Sequence, residues 1–149
     1  KRLLATNAEI APLVLRLILG VVFFPHGAHK VLGWFGGHGF SATMQHFTSS
    51  GIPAVFAFLA ILAEFGGSIA LILGFLTRVA AAGITTVMIV AIATVHFKNG
   101  FFMNWMGNQK GEGFEYHLLA IASAVALIIK GGGALSIDRF LGSKTATKK

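Results

Sequence analysis

The chain has 149 residues, 55% of them hydrophobic and only 11% charged, with a mean hydropathy of +0.77. A soluble domain carries about a quarter charged residues, so a water-soluble globule is excluded; the absence of cysteine excludes disulfides, thiol relays and iron–sulfur clusters held by this chain. The formal charge is +7, but the basic residues sit at the ends of apolar runs and are not gathered on one polar element, which excludes nucleic acid as partner and points to a lipid bilayer.

Residues 1–10 form a short polar lead. The first apolar stretch, residues 11–32, is long enough to span a bilayer, which takes about 20 residues, and too long for a signal-peptide core, so it reads as a retained helix. In lipid the backbone must satisfy its own hydrogen bonds, which dictates helix; a transmembrane barrel would need alternating polarity, and no segment alternates. Arg16 lies one turn inside the start and is expected to snorkel back to the headgroups. Pro25 removes a backbone bond to the carbonyl of Val21 and predicts a kink. The connection 34–53 is rich in glycine and aromatics, and a short interfacial helix is expected over residues 41–49.

The second stretch, residues 54–76, follows Pro53, a favourable start. Thr77 and Arg78 make a tight turn into the third stretch, residues 79–97, so these two helices are antiparallel neighbours. A second connection, 98–113, leads to the fourth stretch, residues 114–130, which three glycines end. The remainder, 134–149, reads as a basic tail. The expected fold is an all-α polytopic membrane protein, one domain built as a four-transmembrane-helix bundle.

Threading these stretches back and forth places Lys1, Arg2, Arg16, Arg78, Lys130, Arg139, Lys144, Lys148 and Lys149 at one end, and Lys30, Lys98 and Lys110 at the other. The positive-inside bias then puts both termini in the cytoplasm. All six histidines (His26, His29, His38, His46, His96 and His117) fall at the opposite end. Histidine titrates near neutral pH and ligates metals, so that end is where chemistry is sought.

Glu64 lies ten residues into the second stretch, about 15 Å deep, where a carboxylate costs at least about 2.5 kcal/mol. It must face the bundle interior. His26 and Lys30, four apart, share a helix face, and His26 is expected about 6–8 Å nearer the histidine end than Glu64. His96 and Asn99 share a face. Glu115 opens the fourth helix, and His117, about 200° around the axis, points elsewhere. A Lys30–Glu64 pair that only fixes helix register is the plain alternative; Trp34, Phe35, Phe101, Phe102 and Trp105 are most simply an interfacial belt, or else a stacking pocket for a flat ring.

Taken in order, Phe24-Pro25-His26-Gly27 with Lys30, Gly33-Trp34-Phe35-Gly36-Gly37, Glu64-Phe65-Gly66-Gly67, Leu73-Gly74-Phe75-Leu76-Thr77-Arg78, Thr94-Val95-His96 with Asn99-Gly100-Phe101-Phe102, and Phe114-Glu115-Tyr116 resemble the DoxX family of bacterial four-helix membrane proteins. The resemblance implies a bacterial inner membrane and a role near quinone-linked electron transfer. It also implies a shared site at His26, Lys30, Glu64, Thr77, Arg78, His96, Asn99 and Glu115.

Three functions are compatible with this reading. In the first, a quinone-interacting redox component, His26 and His96 hold ring oxygens, Glu64 accepts a proton and Lys30 tunes it, with Asn99, Glu115, Trp34 and Arg78 lining the site; no flavin or nucleotide motif is present, so electrons leave through a redox partner protein or a second cofactor. In the second, His26, His96 and His117 bind a metal or haem. The third is a scaffold, assembly factor or small-solute transporter, with Gly- and Ala-lined helix faces serving subunit contacts in a homo-oligomer.

Overall fold

A computed structural model describes residues 2–146. Six helices carry the fold: α1 (Ile10–Val31), α2 (Gly39–Ser49), α3 (Ala54–Leu73), α4 (Thr77–Ala91), α5 (Glu115–Lys130) and α6 (Ile137–Ala146), and no strand occurs among the described residues. Three helical segments, Ile10–Val31, Ala54–Leu73 and Thr77–Asn99, are long and apolar enough to cross a membrane. The fourth expected span, α5, has 16 residues, about 24 Å at the helical rise, which is short of the ~30 Å hydrocarbon core. The count of four full spans therefore becomes three, plus one shorter helix.

Helices α1, α3, α4 and α5 pack in a ring, each touching the next and α5 closing on α1. Leu19, Phe23, Leu71, Ile84, Met88, Ala124 and Leu127 fill the centre. Val14, Ile18, Leu59, Leu62 and Leu119 point outward, as expected where the surrounding solvent is itself apolar. Two glycines set the α1–α3 distance. A Cβ on Gly20 would stand 2.7 Å from Ile72 Cγ1, and one on Gly27 only 2.5 Å from the Cα of Phe65. Small residues at such a seam let helix backbones approach closely. The contact also corrects the expected offset: His26 neighbours Gly27 and so lies level with Glu64 and Phe65, not above them.

Helix α3 ends in a Schellman motif: Gly74, at φ 65°, donates to the Leu71 carbonyl at 3.1 Å, and Phe75 to the Ala70 carbonyl at 2.9 Å. The chain then enters α4 almost at once. We refer to this end, where α1 and α4 start and α3 and α5 finish, as the terminal end, and to the other as the loop end. At the terminal end Arg16 is 1% exposed. It does not snorkel; it donates from Nε to Gly132 O at 2.9 Å, from Nη1 to the carbonyls of Leu71 and Ile72, and from Nη2 to Ala134 O at 3.2 Å and Leu135 O at 2.9 Å. A guanidinium there complements the negative pole of α3.

Two other sequence expectations change. The tail at 134–149 contains α6, capped by Ser136, whose Oγ accepts from Arg139 N at 3.2 Å. Lys1, Lys148 and Lys149 of the basic set lie outside the described residues. Helix α4 continues beyond Ala91 as a π-helical turn over Ile92–His96, an arrangement frequent at functional sites because it re-aims the side chains that follow. Helix α1, in contrast, runs through Pro25 without a break in helical backbone.

Candidate functional site

Lys30, one residue from the end of α1, donates from Nζ to Oε2 of Glu64, midway along α3. The Glu64 carboxylate is buried, with the residue 6% exposed. The glycine seam produces this pair: Gly27, three residues before Lys30, sits on the backbone of Phe65, so the lysine stem reaches the carboxylate beside it. Pairing offsets part of the penalty of an acid at this depth. His26 is exposed on the outer face of α1, its ring 6.2 Å from that of Phe23 and within electrostatic range of Lys30 and Glu64. Phe24 stacks on Phe65 at 6.0 Å, and Trp34 closes edge-on against Phe24 at 6.5 Å.

A second cluster lies at the loop end. The rings of His96 and His117 are 4.0 Å apart. His96 Nδ1 donates to the Glu112 carbonyl at 2.8 Å, and Asn99 Nδ2 donates to the same oxygen at 3.0 Å. A carbonyl only accepts, so Nδ1 of His96 carries the hydrogen, and in the neutral ring Nε2 is the acceptor. His117 is 6% exposed. Glu115 turns away from it: its Oε1 accepts from Met103 N at 2.8 Å and from Trp105 Nε1 at 3.3 Å, which holds the 100–113 loop over the bundle.

Four enclosed side-chain atoms lack a hydrogen-bond partner among the described residues: Thr77 Oγ1, Arg78 Nε, Tyr116 Oη and His117 Nδ1. Such an atom costs about 1–3 kcal/mol.

The structure thus unites Lys30 and Glu64, with His26 beside them, and separately gathers His96, Asn99 and His117. Arg78 belongs to neither group. It lies at the terminal end, donating to the Ile128 carbonyl, to Ile129 O at 2.9 Å and to Ala5 O at 3.0 Å. Thr77 is there too, its amide donating to Asp138 Oδ2 at 2.9 Å. As for metals, among the described residues no three or more His, Cys, Asp or Glu gather, so His26, His96 and His117 do not form one centre. Imidazoles sharing a tetrahedral metal, with bonds of about 2.0–2.1 Å, hold their ring centres about 5 Å apart, so at 4.0 Å and tilted 43° to one another the His96 and His117 rings are closer than that arrangement. A cleft of about 500 Å³ lined by Lys98, Asn99 and Lys110, and one of about 300 Å³ bordered by Ser136 and Arg139, both lie away from Lys30 and Glu64.

Sequence reasoning missed Tyr116. It is the sole tyrosine, between Glu115 and His117 on the first turn of α5, and that run of three polar-tipped side chains opening an apolar helix is the signal that could have marked it.

The DoxX family profile matches residues 11–97. The chain is 32% identical over 133 residues to the "Putative oxidoreductase CatD" of Bacillus subtilis, covering 89% of this chain and 88% of that one. It is 32% identical over 136 residues to the "Inner membrane protein YqjF" of Escherichia coli, covering 91% and 95% respectively. A Haemophilus influenzae protein without assigned function is 29% identical over 145 residues, covering 95% and 90%. No solved structure gives a significant match.

Proposed function

The chain belongs to the DoxX family, and we propose that it is a quinone-interacting component of a membrane oxidoreductase system. The observation that carries this reading is the Lys30–Glu64 pair, whose acid is buried midway along one membrane-crossing helix and whose lysine reaches it from near the end of another. Ionisable residues at such depth are costly and mark functional sites by default. The oxidoreductase name of the Bacillus relative agrees with it. The name of the Escherichia relative favours the inner membrane, and the basic terminal end favours cytoplasmic termini.

The chemistry follows from the groups present. Oxidation of a quinol gives the quinone, two protons and two electrons. Glu64 accepts one proton and His26 the other, and Lys30 steadies the oxygen as its hydroxyl ionises. The electrons pass to a partner protein acting as oxidant. Phe24, Phe65 and Trp34 offer aromatic faces for a flat ring arriving from the bilayer.

One observation favours a second reading, a non-catalytic bundle: Lys30 and Glu64 satisfy one another, as a purely structural clamp would. Glu64→Gln separates the two. The amide keeps the size and still accepts a hydrogen bond from Lys30, but cannot take a proton at neutral pH. In nanodiscs, folded Glu64→Gln protein is expected to lose at least tenfold in quinol-oxidising or quinone-binding activity. Full activity in that variant would favour the clamp.

A further inference from the structure

The first turn of α5 carries two enclosed polar atoms that no group among the described residues satisfies, Tyr116 Oη and His117 Nδ1. Native proteins keep few such atoms, and each asks for a partner. Those on Thr77 and Arg78 sit among groups already held at the terminal end, whereas Tyr116 and His117 lie at the loop end. Tyr116 packs on the bundle core, lies within electrostatic range of Glu64, and stands on a helix that touches α1, the helix of Lys30. The role expected of His96 is limited by its Nδ1, which is committed to the Glu112 carbonyl. A phenolic hydroxyl both donates and accepts and carries no charge at neutral pH. It suits the uncharged oxygen of a ring, carbonyl when oxidised and hydroxyl when reduced, better than it suits an ion.

We infer that Tyr116 is a substrate-binding residue, its hydroxyl hydrogen-bonding one oxygen of the ring whose other oxygen meets the Lys30–Glu64 pair; this rests on the quinone reading above. The arrangement divides the labour. Lys30 and Glu64 handle charge and the proton at one oxygen, while Tyr116 holds the other oxygen in either redox state and so fixes the ring's orientation.

The test uses full-length wild type and Tyr116→Phe in lipid nanodiscs, with a short-chain benzoquinone as probe. Without probe, the variant is expected to melt at or above the wild-type temperature, because it loses an unsatisfied hydroxyl and keeps the ring. With probe, its thermal shift is expected to shrink and its dissociation constant to rise about tenfold, the worth of one neutral hydrogen bond. Equal affinity in the variant overturns the inference and leaves the quinone site standing. A variant melting well below wild type without probe also overturns it, since the hydroxyl then has a structural partner. Wild type that shows no shift overturns both the inference and the quinone reading.

Discussion

At the terminal end, Arg16, Arg78 and Asp138 direct their hydrogen bonds to backbone carbonyls and amides; away from it, Lys30 near the end of α1 and Glu64 midway along α3 direct theirs to each other. The difference lies in what each group can be exchanged for. Asp138 accepts from the amides of Leu76 at 2.7 Å and Thr77 at 2.9 Å, satisfying the start of α4. Arg16 and Arg78 do the same for the ends of α3 and α5. No ligand can take over those roles without unravelling a helix terminus. Lys30 and Glu64 cap nothing, so a ligand oxygen can enter between them at no cost to any helix. Buried charge holds helix ends at one place and is paired only with itself at the other.

The largest effect expected is at the structural end. Arg16→Met leaves several buried carbonyls without a donor and should destabilise the fold by at least about 3 kcal/mol, read as a large fall in thermal midpoint or as loss of folded protein. Arg16→Lys should recover little, because an ammonium cannot present the planar fork that reaches carbonyls on both sides. A mild phenotype for Arg16→Met would remove the contrast.

An intermediate effect is expected where the two regions are linked. Gly27→Ala places a Cβ 2.5 Å from a backbone carbon of Phe65, which cannot yield as a side-chain tip would. About 1–3 kcal/mol of stability should be lost. The quinone binding proposed above should fall as well, since spreading α1 from α3 draws Lys30 off Glu64. Binding that survives the spread would show that the site does not depend on the seam.

The smallest effect belongs to the exposed pair Glu9–Lys130, 3.2 Å apart at the terminal end. Lys130 holds the Glu9 carboxyl below its usual range. The pair's contribution is therefore present above the ordinary carboxylate range and fades as pH falls through the lowered value. Because the group is solvated, Glu9→Gln should melt with wild type at neutral pH.

The sequence was most legible where one physical rule dominates. Apolar length and lipid's demand for internal hydrogen bonds located α1, α3, α4 and α5 closely, and depth alone marked Glu64 with Lys30 as its partner. It was least legible where partners are distant in sequence. Arg16 reads as a snorkelling residue because its acceptors near Gly132 and Leu135 lie over a hundred positions away. Helix α6 hid in a basic tail, although Ser136 ahead of Ile137 is an ordinary N-cap signal. The π-helical turn before His96 has no sequence period of its own. Tyr116 carried no role in the sequence beyond its place in the Phe114-Glu115-Tyr116 motif, because only packing reveals that its hydroxyl is enclosed.

The central claim, that Lys30 and Glu64 are retained for chemistry and not to hold the helices together, is tested most directly by the double variant Lys30→Met with Glu64→Leu. Replacing a buried ion pair with apolar residues of similar size is commonly neutral or stabilising, by about 1–4 kcal/mol. We expect the double variant in nanodiscs to melt at or above the wild-type temperature and to show no thermal shift with a short-chain benzoquinone. A double variant that melts far below wild type, or that still shifts with the quinone, would contradict the claim.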